Sequence, residues 1–432
     1  MRPIPRRTAL RLPALLLAAP ALGRAQGQAR LLVVGGGFGG ASAARFARTL
    51  APEVAVTLVE PQPRFITCPY GNLVLGGLRE MPAITHGYEG LAARGVRVVQ
   101  DRAVGIDPVA RRVRLGGGET LAYDRLILSP GIALRWNAIQ GYDAAAAEAM
   151  PHAWIAGDGA QLRLLRRQLQ AMPDGGVVAL AIPPNPYRCP PGPYERISMI
   201  AHYLKRHKPR AKILALDAKE RFSKQPLFQD AWRTLYGDMV EWVPANVDGR
   251  VTRVEPRTGV LETELGTRHR ADVANVIPPQ SAAAIAIEAG LADATGWVPV
   301  DYRSFEAKAA PGIHVIGDAT QAGAMPKSGF LANSTAKQAV ASALAALRGA
   351  PAPEAEPLAP RPVYFNTCYS HAGEGYGISV VNIFRPNADG SAVEEVPDSG
   401  GTSPRGDLTE QRRLEALYAD GWYESITADM FS

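Results

Sequence analysis

The sequence predicts an α/β protein made of two tandem Rossmann-type domains and a small α+β domain at its carboxyl end. Near its start, an apolar strand runs into a glycine-rich turn and then a helix, which is typical of the first domain. A second alternation of helices and strands follows over 161–237. The proline- and alanine-rich stretch 350–360 then indicates a linker before the last unit.

The segment RLLVVGGGFGG, which begins at Arg30, predicts a nucleotide-binding turn. Gly35 permits the tight turn, Gly37 lets the backbone approach a pyrophosphate, and Gly40 lets the helix pack closely on the strand. Glu60 ends the next strand, VAVTLVE, where a carboxylate accepts a ribose hydroxyl. Because strand, glycines, helix and acid occur together, the sequence predicts dinucleotide binding rather than an ordinary glycine-rich turn.

Length and composition indicate a globular protein with room for two or three domains, since 47% of the 432 residues are hydrophobic and 20% are charged. The formal net charge of +6 arises at the amino end, where residues 1–25 carry five arginines and no acid. The remainder holds 42 basic residues against 41 acidic ones. This near-neutral balance gives no electrostatic case for nucleic-acid binding.

Residues 1–25 resemble an export signal, with a basic start, a modest apolar stretch and small residues for cleavage near Ala25. The pair Arg6 and Arg7 predicts a twin-arginine signal, which exports proteins already folded around a cofactor. A Sec signal and a basic disordered leader are the alternatives. No other stretch approaches the roughly 18 apolar residues that a membrane span requires. We therefore expect a periplasmic protein without a membrane span.

The first domain is predicted to comprise 26–141 and 285–350. Strands at 96–99, 111–115 and 125–128 match the antiparallel flap and the return strand of flavoproteins with two dinucleotide-binding domains. This arrangement predicts a glutathione-reductase-like fold.

The segment that returns to the first domain contains the strand HVIGD, which ends in Gly317 and Asp318, and a long helix after it. In flavoproteins of this type the aspartate bonds the ribityl chain of FAD. Asp318 is also a candidate helix N-cap, and the two interpretations can hold together. The helix start near Lys327 and Ser328 is expected at the pyrimidine side of the flavin. The positive end of the helix dipole favours the anionic reduced ring there.

The second domain is predicted over 142–284, with a helix QLRLLRRQLQAM and a strand GVVALAIP. A nicotinamide-binding domain requires a second glycine fingerprint after that strand. The sequence has PPNPYRCPPGPYER instead, and proline neither donates an N–H nor permits the same close turn. We therefore expect that NAD(P)H does not bind in this domain.

The third unit, 351–432, is predicted to contain two strands around a glycine-rich bend in RPVYFNTCYSHAGEGYGISV. A polar loop, a helix at 408–419 and a tail with Trp422 and Tyr423 are expected to follow. The helix has only a modest apolar stripe and mixed charge, which favours a core or subunit contact over a position on a membrane surface.

Only three cysteines occur: Cys68, Cys189 and Cys368. In an oxidising compartment two are expected to pair, and the third needs a separate explanation. The motifs TCPYGNLVLGG, RCPPGPYER, FNTCYS with YGISV, and the terminal ITADMF together resemble the flavoprotein subunits of flavocytochrome c sulfide dehydrogenases. The resemblance covers essentially the whole chain after the signal, and all three cysteines fall in matching motifs. Sulfide:quinone oxidoreductases are related and share the architecture.

The resemblance implies a role for each cysteine. Cys68 matches the residue that attaches FAD through an 8α-S-cysteinyl thioether, and Cys189 and Cys368 match a redox disulfide beside the flavin. A structural disulfide with one spectator thiol is the alternative. Glu195 matches a glutamate near the disulfide and is a candidate base, the other interpretation being a solvated acid at a helix start. Arg196 is expected to be structural.

The expected chemistry starts when hydrosulfide attacks the disulfide by thiol–disulfide exchange. The resemblance suggests that Cys189 takes the sulfide and that Cys368 is the sulfur on the flavin side. No haem-attachment C-x-x-C-H occurs, so the electron acceptor is expected to be a separate protein or molecule. The resemblance implies that it is a c-type cytochrome subunit, and no metal site is predicted in this chain. The alternatives are a sulfide:quinone oxidoreductase and a non-catalytic accessory flavoprotein of a sulfur-oxidising system.

Overall fold

The computed structural model describes residues 28–349, 361–406 and 408–432. The expected export signal at 1–25 lies outside the described residues, as does the expected linker at 350–360. The predicted α/β fold class is confirmed: two parallel sheets flanked by helices are followed by an antiparallel unit.

The first part of the chain contains a Rossmann-type unit and a small antiparallel flap. Its strands are β1 (Arg30–Val34), β2 (Ala55–Val59), β3 (Phe65–Ile66), β4 (Thr85–His86), β5 (Arg97–Val99), β6 (Ala103–Asp107), β7 (Arg112–Leu115), β8 (Thr120–Ala122), β9 (Arg125–Leu128) and β10 (Ile132–Leu134). Its helices are α1 (Phe38–Leu50), α2 (Gly71–Gly76) and α3 (Glu89–Ala93).

The middle part alternates helices and strands before a second small antiparallel sheet. Its helices are α4 (Ala160–Ala171), α5 (Gly192–His207) and α6 (Gln225–Tyr236). Its strands are β11 (Val177–Ile182), β12 (Lys212–Asp217), β13 (Val240–Val243), β14 (Val251–Glu255), β15 (Val260–Thr263), β16 (Arg268–Arg270), β17 (Val273–Val276) and β18 (Gln280–Ala282).

The last part returns to the first sheet and then forms the carboxyl-terminal unit. Its elements are α7 (Ala284–Glu288), β19 (Ile313–Val315), α8 (Gly329–Leu347), β20 (Tyr364–Gly373), β21 (Tyr376–Pro386), β22 (Val393–Glu395), β23 (Gly401–Thr402) and α9 (Thr409–Phe431). Short 3₁₀ turns lie at Met81–Ile84, Ala146–Glu148 and Gly317–Ala319.

The first domain is built on a parallel sheet with the strand order β19–β9–β1–β2–β5. Val34, at the end of β1, pairs with Val59 on one side and Leu128 on the other. These strands are apolar along nearly their whole length because they lie in the buried core, against which α1 and α8 pack. The carboxyl ends of β1, β2 and β19 therefore meet at one edge, where ligands bind in open α/β sheets.

The second domain has its own parallel sheet, β13–β12–β11–β17. The antiparallel pair β10–β18 connects the two domains, with Ile132 opposite Ala282. Between β11 and α5 lies an irregular loop, 183–191, where the prolines prevent the short turn of a nucleotide-binding unit. This loop carries Cys189.

The carboxyl-terminal unit is a hairpin of β20 and β21, extended by β22 and β23, against which α9 packs. The prediction that the helix ends at 419 is wrong, because α9 continues to Phe431 and includes Trp422 and Tyr423. Tertiary packing explains the difference: Tyr423 and Met430 are buried, so their apolar surface sustains the helix beyond Gly421.

We predict that Gly40→Ala destabilises the protein, because a Cβ at Gly40 would lie 1.7 Å from the carbonyl oxygen of Gly35. Forced separation of the helix and strand backbones should cost about 2–3 kcal/mol of unfolding free energy. Denaturant unfolding monitored by circular dichroism measures this loss.

The matched control is Gly421→Ala in α9, where an added Cβ meets nothing within 4 Å. The control should unfold at the same or a higher denaturant concentration, because alanine is the better helix former. Equal midpoints for Gly40→Ala and the parent protein would contradict the prediction.

Candidate functional site

The glycine-rich turn after β1 forms one side of a cavity of about 590 Å³, here called the cradle cavity. Gly35 has a left-handed backbone (φ 96°), and a Cβ there would lie 2.2 Å from the Ser129 carbonyl oxygen. Gly37 precedes α1 and, as a glycine, has no side chain to cap the first N–H groups of that helix. These uncapped donors face the position expected for a pyrophosphate.

Glu60 closes the cradle cavity at the end of β2. Its carboxylate accepts hydrogen bonds from the backbone N–H of Gly36 (2.8 Å) and of Gln62 (3.0 Å). These bonds hold the side chain at the cavity wall, where its remaining acceptor capacity is available to a ribose.

Asp318 lines the cradle cavity from the opposite side, after β19. Its Oδ1 is buried and has no hydrogen-bond partner among the described residues. Burial raises the pKa of this carboxyl group. A buried acceptor without a partner is costly, and a ligand hydroxyl would satisfy it. The interpretation of Asp318 as the cap of α8 is wrong, because Ser328 Oγ accepts from the Leu331 N–H (3.1 Å).

The ammonium of Lys327 lies outside the cradle cavity. It lies in a separate pocket, where it donates to the carbonyls of Asp318 (2.9 Å) and Thr320 (2.5 Å) and stacks on Trp297. Burial lowers the pKa of Lys327 to about 8. The lysine therefore braces the backbone of Asp318 instead of lining the cradle cavity.

All three cysteines line a second cavity, of about 340 Å³, here called the cysteine cavity. Cys68 and Cys189 also line the cradle cavity, so the two cavities adjoin at these residues. The three cysteines are free thiols in the structure. The fold therefore gathers at one place residues that come from the β3–α2 loop, the β11–α5 loop and β20.

Cys189 has a left-handed backbone (φ 60°), which is uncommon for a residue other than glycine. Its N–H donates to the Lys327 carbonyl (2.7 Å), and the Arg188 N–H donates to Gln280 Oε1 (2.9 Å). These bonds hold the thiol at the junction of the cavities. Strained conformations of this kind persist where the surroundings enforce them, most often at functional sites.

Glu195 lies in the first turn of α5, is only 8% exposed and lines the cysteine cavity. Its carboxylate accepts from Asn72 Nδ2 (2.8 Å) and from the His371 backbone N–H (2.9 Å). The interpretation as a solvated acid is wrong, because α2 and β20 enclose it. Burial raises the pKa of the Cys189 and Cys368 thiols, and the negative charge of Glu195 raises both further.

Arg196 fits the structural role expected for it. Its guanidinium donates to Asn72 Oδ1 (3.1 Å), to Asn275 Oδ1 (2.9 Å) and to the His152 carbonyl (3.0 Å), and it packs over Trp154. Asn72 thereby ties Arg196 and Glu195 to α2. Sequence reasoning missed Asn72. Its position four residues after Cys68 is the one sequence feature that could have indicated it.

Lys224 and Arg188 are two further residues that sequence reasoning missed. Lys224 Nζ donates to Ser370 Oγ (2.8 Å) and lies 4.0 Å from Cys368 Sγ. Burial raises the pKa of the Cys68 thiol, and the charge of Arg188, which lines both cavities, opposes part of this rise. Lys224 is distant from Cys368 in sequence, so no local pattern indicated their contact.

Comparison with known families divides the chain into three matching segments. Residues 29–164 match the pyridine nucleotide-disulphide oxidoreductase family. Residues 162–278 match the central domain of the sulfide dehydrogenase [flavocytochrome c] flavoprotein chain, and 360–431 match the flavin-binding domain of flavocytochrome c sulphide dehydrogenase. A flavoprotein chain of sulfide dehydrogenase from Chlorobaculum thiosulfatiphilum is 58% identical over 48 residues, which are 100% of that sequence and 11% of this chain.

The chain belongs to the sulfide dehydrogenase flavoprotein family. It is also similar to the mitochondrial sulfide:quinone oxidoreductase of Mus musculus, with 26% identity over 302 residues. That match covers 67% of this chain and 65% of the mouse protein, less than two thirds of its length.

The fold is shared with the solved sulfide:quinone oxidoreductase of Aquifex aeolicus, with a TM-score of 0.70 and 19% identity. This similarity covers 93% of this chain and 92% of the other. The two-domain flavoprotein architecture predicted from the sequence is thereby confirmed. Within the described residues, no helix is both long and apolar enough to cross a membrane.

Proposed function

We propose that the protein oxidises sulfide with a bound FAD and passes the electrons to a c-type cytochrome in the periplasm. The observation that carries this proposal is the meeting of Cys68, Cys189 and Cys368 in one cavity beside a dinucleotide cradle. Family membership supports the same chemistry. The expected export signal supports the periplasmic location.

The residues of the cradle cavity fit FAD. The uncapped start of α1 suits a pyrophosphate, Glu60 suits a ribose, and the unpartnered Oδ1 of Asp318 suits a hydroxyl of the ribityl chain. When bound, FAD supplies a two-electron acceptor next to the cysteines. Cys68, which lines both cavities, is the residue placed to hold it by a thioether.

The cysteine cavity supplies the groups for the first step. We infer that Cys189 and Cys368 form a disulfide in the oxidised protein and that hydrosulfide opens it by exchange. A new sulfur–sulfur bond forms at one cysteine, while the other leaves as a thiolate. Glu195, held by two hydrogen bonds at the cavity wall, is positioned to accept the proton of hydrogen sulfide.

A second candidate acceptor is a quinone. Aromatic side chains in the lining of the cysteine cavity favour it, since Phe330, Tyr369 and Trp422 are among them. The similarity to the mouse sulfide:quinone oxidoreductase points in the same direction.

We predict that the flavin stays on the polypeptide under denaturing conditions and that Cys68→Ala releases it. A thioether survives denaturation, whereas non-covalent binding does not. Flavin fluorescence in a denaturing gel measures the attachment. Cys368→Ala is the matched control and should keep the fluorescent band; release of flavin from the parent protein by acid would disprove the thioether.

We predict that sulfide bleaches the flavin absorbance of the holoprotein and that Cys189→Ser abolishes this bleaching without loss of flavin. Glu195→Gln, which preserves the shape of the side chain, should slow bleaching about a hundredfold, because it removes the base. Anaerobic stopped-flow absorbance measures both. Unchanged bleaching in Cys189→Ser would contradict the mechanism. If the parent protein binds a partner but sulfide does not bleach its flavin, an accessory role would be favoured instead.

We predict faster sulfide-dependent turnover with a c-type cytochrome than with a soluble quinone analogue, since the proposed acceptor is a cytochrome. Steady-state rates of acceptor reduction measure this preference, with Cys189→Ser as the inactive control for each acceptor. Preference for the quinone, together with sedimentation of the protein on lipid vesicles, would favour the second candidate.

A further inference from the structure

Opening a disulfide creates one thiolate, and the sulfur with the lower thiol pKa leaves faster. A positive charge in direct contact with one of the two sulfurs therefore favours attack on the other sulfur. The described surroundings of Cys189 and Cys368 differ in this respect.

Lys224 lies directly before α6, with its side chain 5% exposed and its backbone left-handed (φ 60°). Its Nζ donates to the Cys368 carbonyl (3.0 Å) and to Ser370 Oγ (2.8 Å), and it lies 4.0 Å from Cys368 Sγ. An ammonium has three protons, and these three groups surround it. Lys224 belongs to the second domain, and these hydrogen bonds hold its ammonium beside Cys368 of the carboxyl-terminal unit.

The two thiols have different charged neighbours, which shift their pKa values in different ways. Burial raises the pKa of Cys368, Lys224 lowers it and Glu195 raises it. Burial raises the pKa of Cys189 well above its usual range, and charges on Cys368, Cys68 and Glu195 add to this while Arg188 opposes it. Burial lowers the pKa of His371, a further titratable group that the charge of Lys224 also affects.

We propose that Lys224 is a positioning residue that stabilises the thiolate of Cys368 and thereby directs sulfide to Cys189. In this step the sulfur of hydrosulfide bonds to Cys189 Sγ, the Cys189–Cys368 bond breaks, and its electron pair stays on Cys368 Sγ beside the ammonium. Atoms and electrons balance without a further oxidant. The inference rests on the proposed function, which supplies the disulfide and the sulfide.

The first test measures the thiol of Cys368 in the holoprotein with Cys189→Ser, where no disulfide can form. The rate of Cys368 alkylation by iodoacetamide is followed against pH, with the labelled peptide quantified by mass spectrometry. Adding Lys224→Met should raise the midpoint by about one pH unit, because an opposite charge at this distance favours the thiolate. Lys224→Arg, which keeps the charge, should restore the lower midpoint.

Lys205→Met is the matched control, since it removes a positive charge from the exposed end of α5. It should leave the midpoint unchanged. An unchanged midpoint in Lys224→Met, in protein that retains its flavin, would overturn the inference without touching the proposed function, because this test uses no sulfide.

The second test needs no substitution at Lys224 and so remains decisive where that variant does not fold. The parent holoprotein is treated anaerobically with sulfide and alkylated at once, and the persulfide is located by mass spectrometry. Persulfide on Cys189 supports the inference, and persulfide on Cys368 overturns it. Persulfide on neither residue would instead contradict the proposed function.

Discussion

The cysteine cavity depends on the attachment of α9 to the first domain. Asp429, near the end of α9, pairs with Arg45 of α1 (3.1 Å) and with Lys337 of α8 (2.8 Å), and it accepts from Asn333 Nδ2 (2.8 Å). One carboxylate thus ties the carboxyl-terminal unit to both helices that cover the first sheet. Because β20 packs beside α9, this tie also fixes where Cys368 lies.

The same helix reaches the loop that carries Cys68. Tyr423 stacks on Tyr70, with 4.2 Å between ring centroids, and its hydroxyl hydrogen-bonds to Thr67 Oγ1 (2.8 Å). A single helix therefore positions both the loop expected to hold the flavin and the hairpin that carries a redox cysteine. The second domain contributes Cys189 through a loop that occupies the place of a nucleotide-binding turn.

The sequence was sufficient for the features that local patterns determine. The glycine spacing that starts at Gly35, the alternation of strands and helices, and the hairpin at the carboxyl end all have short-range signals, and the fold class followed from them. The end of α9 was missed because packing of Tyr423 and Met430, rather than propensity, sustains it. The contacts of Lys224 and the direction of the Lys327 side chain depend on residues distant in sequence, so no pattern could reveal them.

The left-handed backbone at Cys189 limits which substitution at this position gives an inactive but folded variant for binding studies. In a Cys189→Val variant, the branched side chain would strain this left-handed backbone by an energy of order 1–2 kcal/mol. That strain would add to any stability lost with the thiol itself. Asparagine tolerates this region of backbone torsion far better. A Cys189→Asn variant would therefore keep the backbone hydrogen bond from residue 189 to the Lys327 carbonyl. Loss of activity in that variant would report the missing thiol, whereas in Cys189→Val it would also reflect a distorted loop.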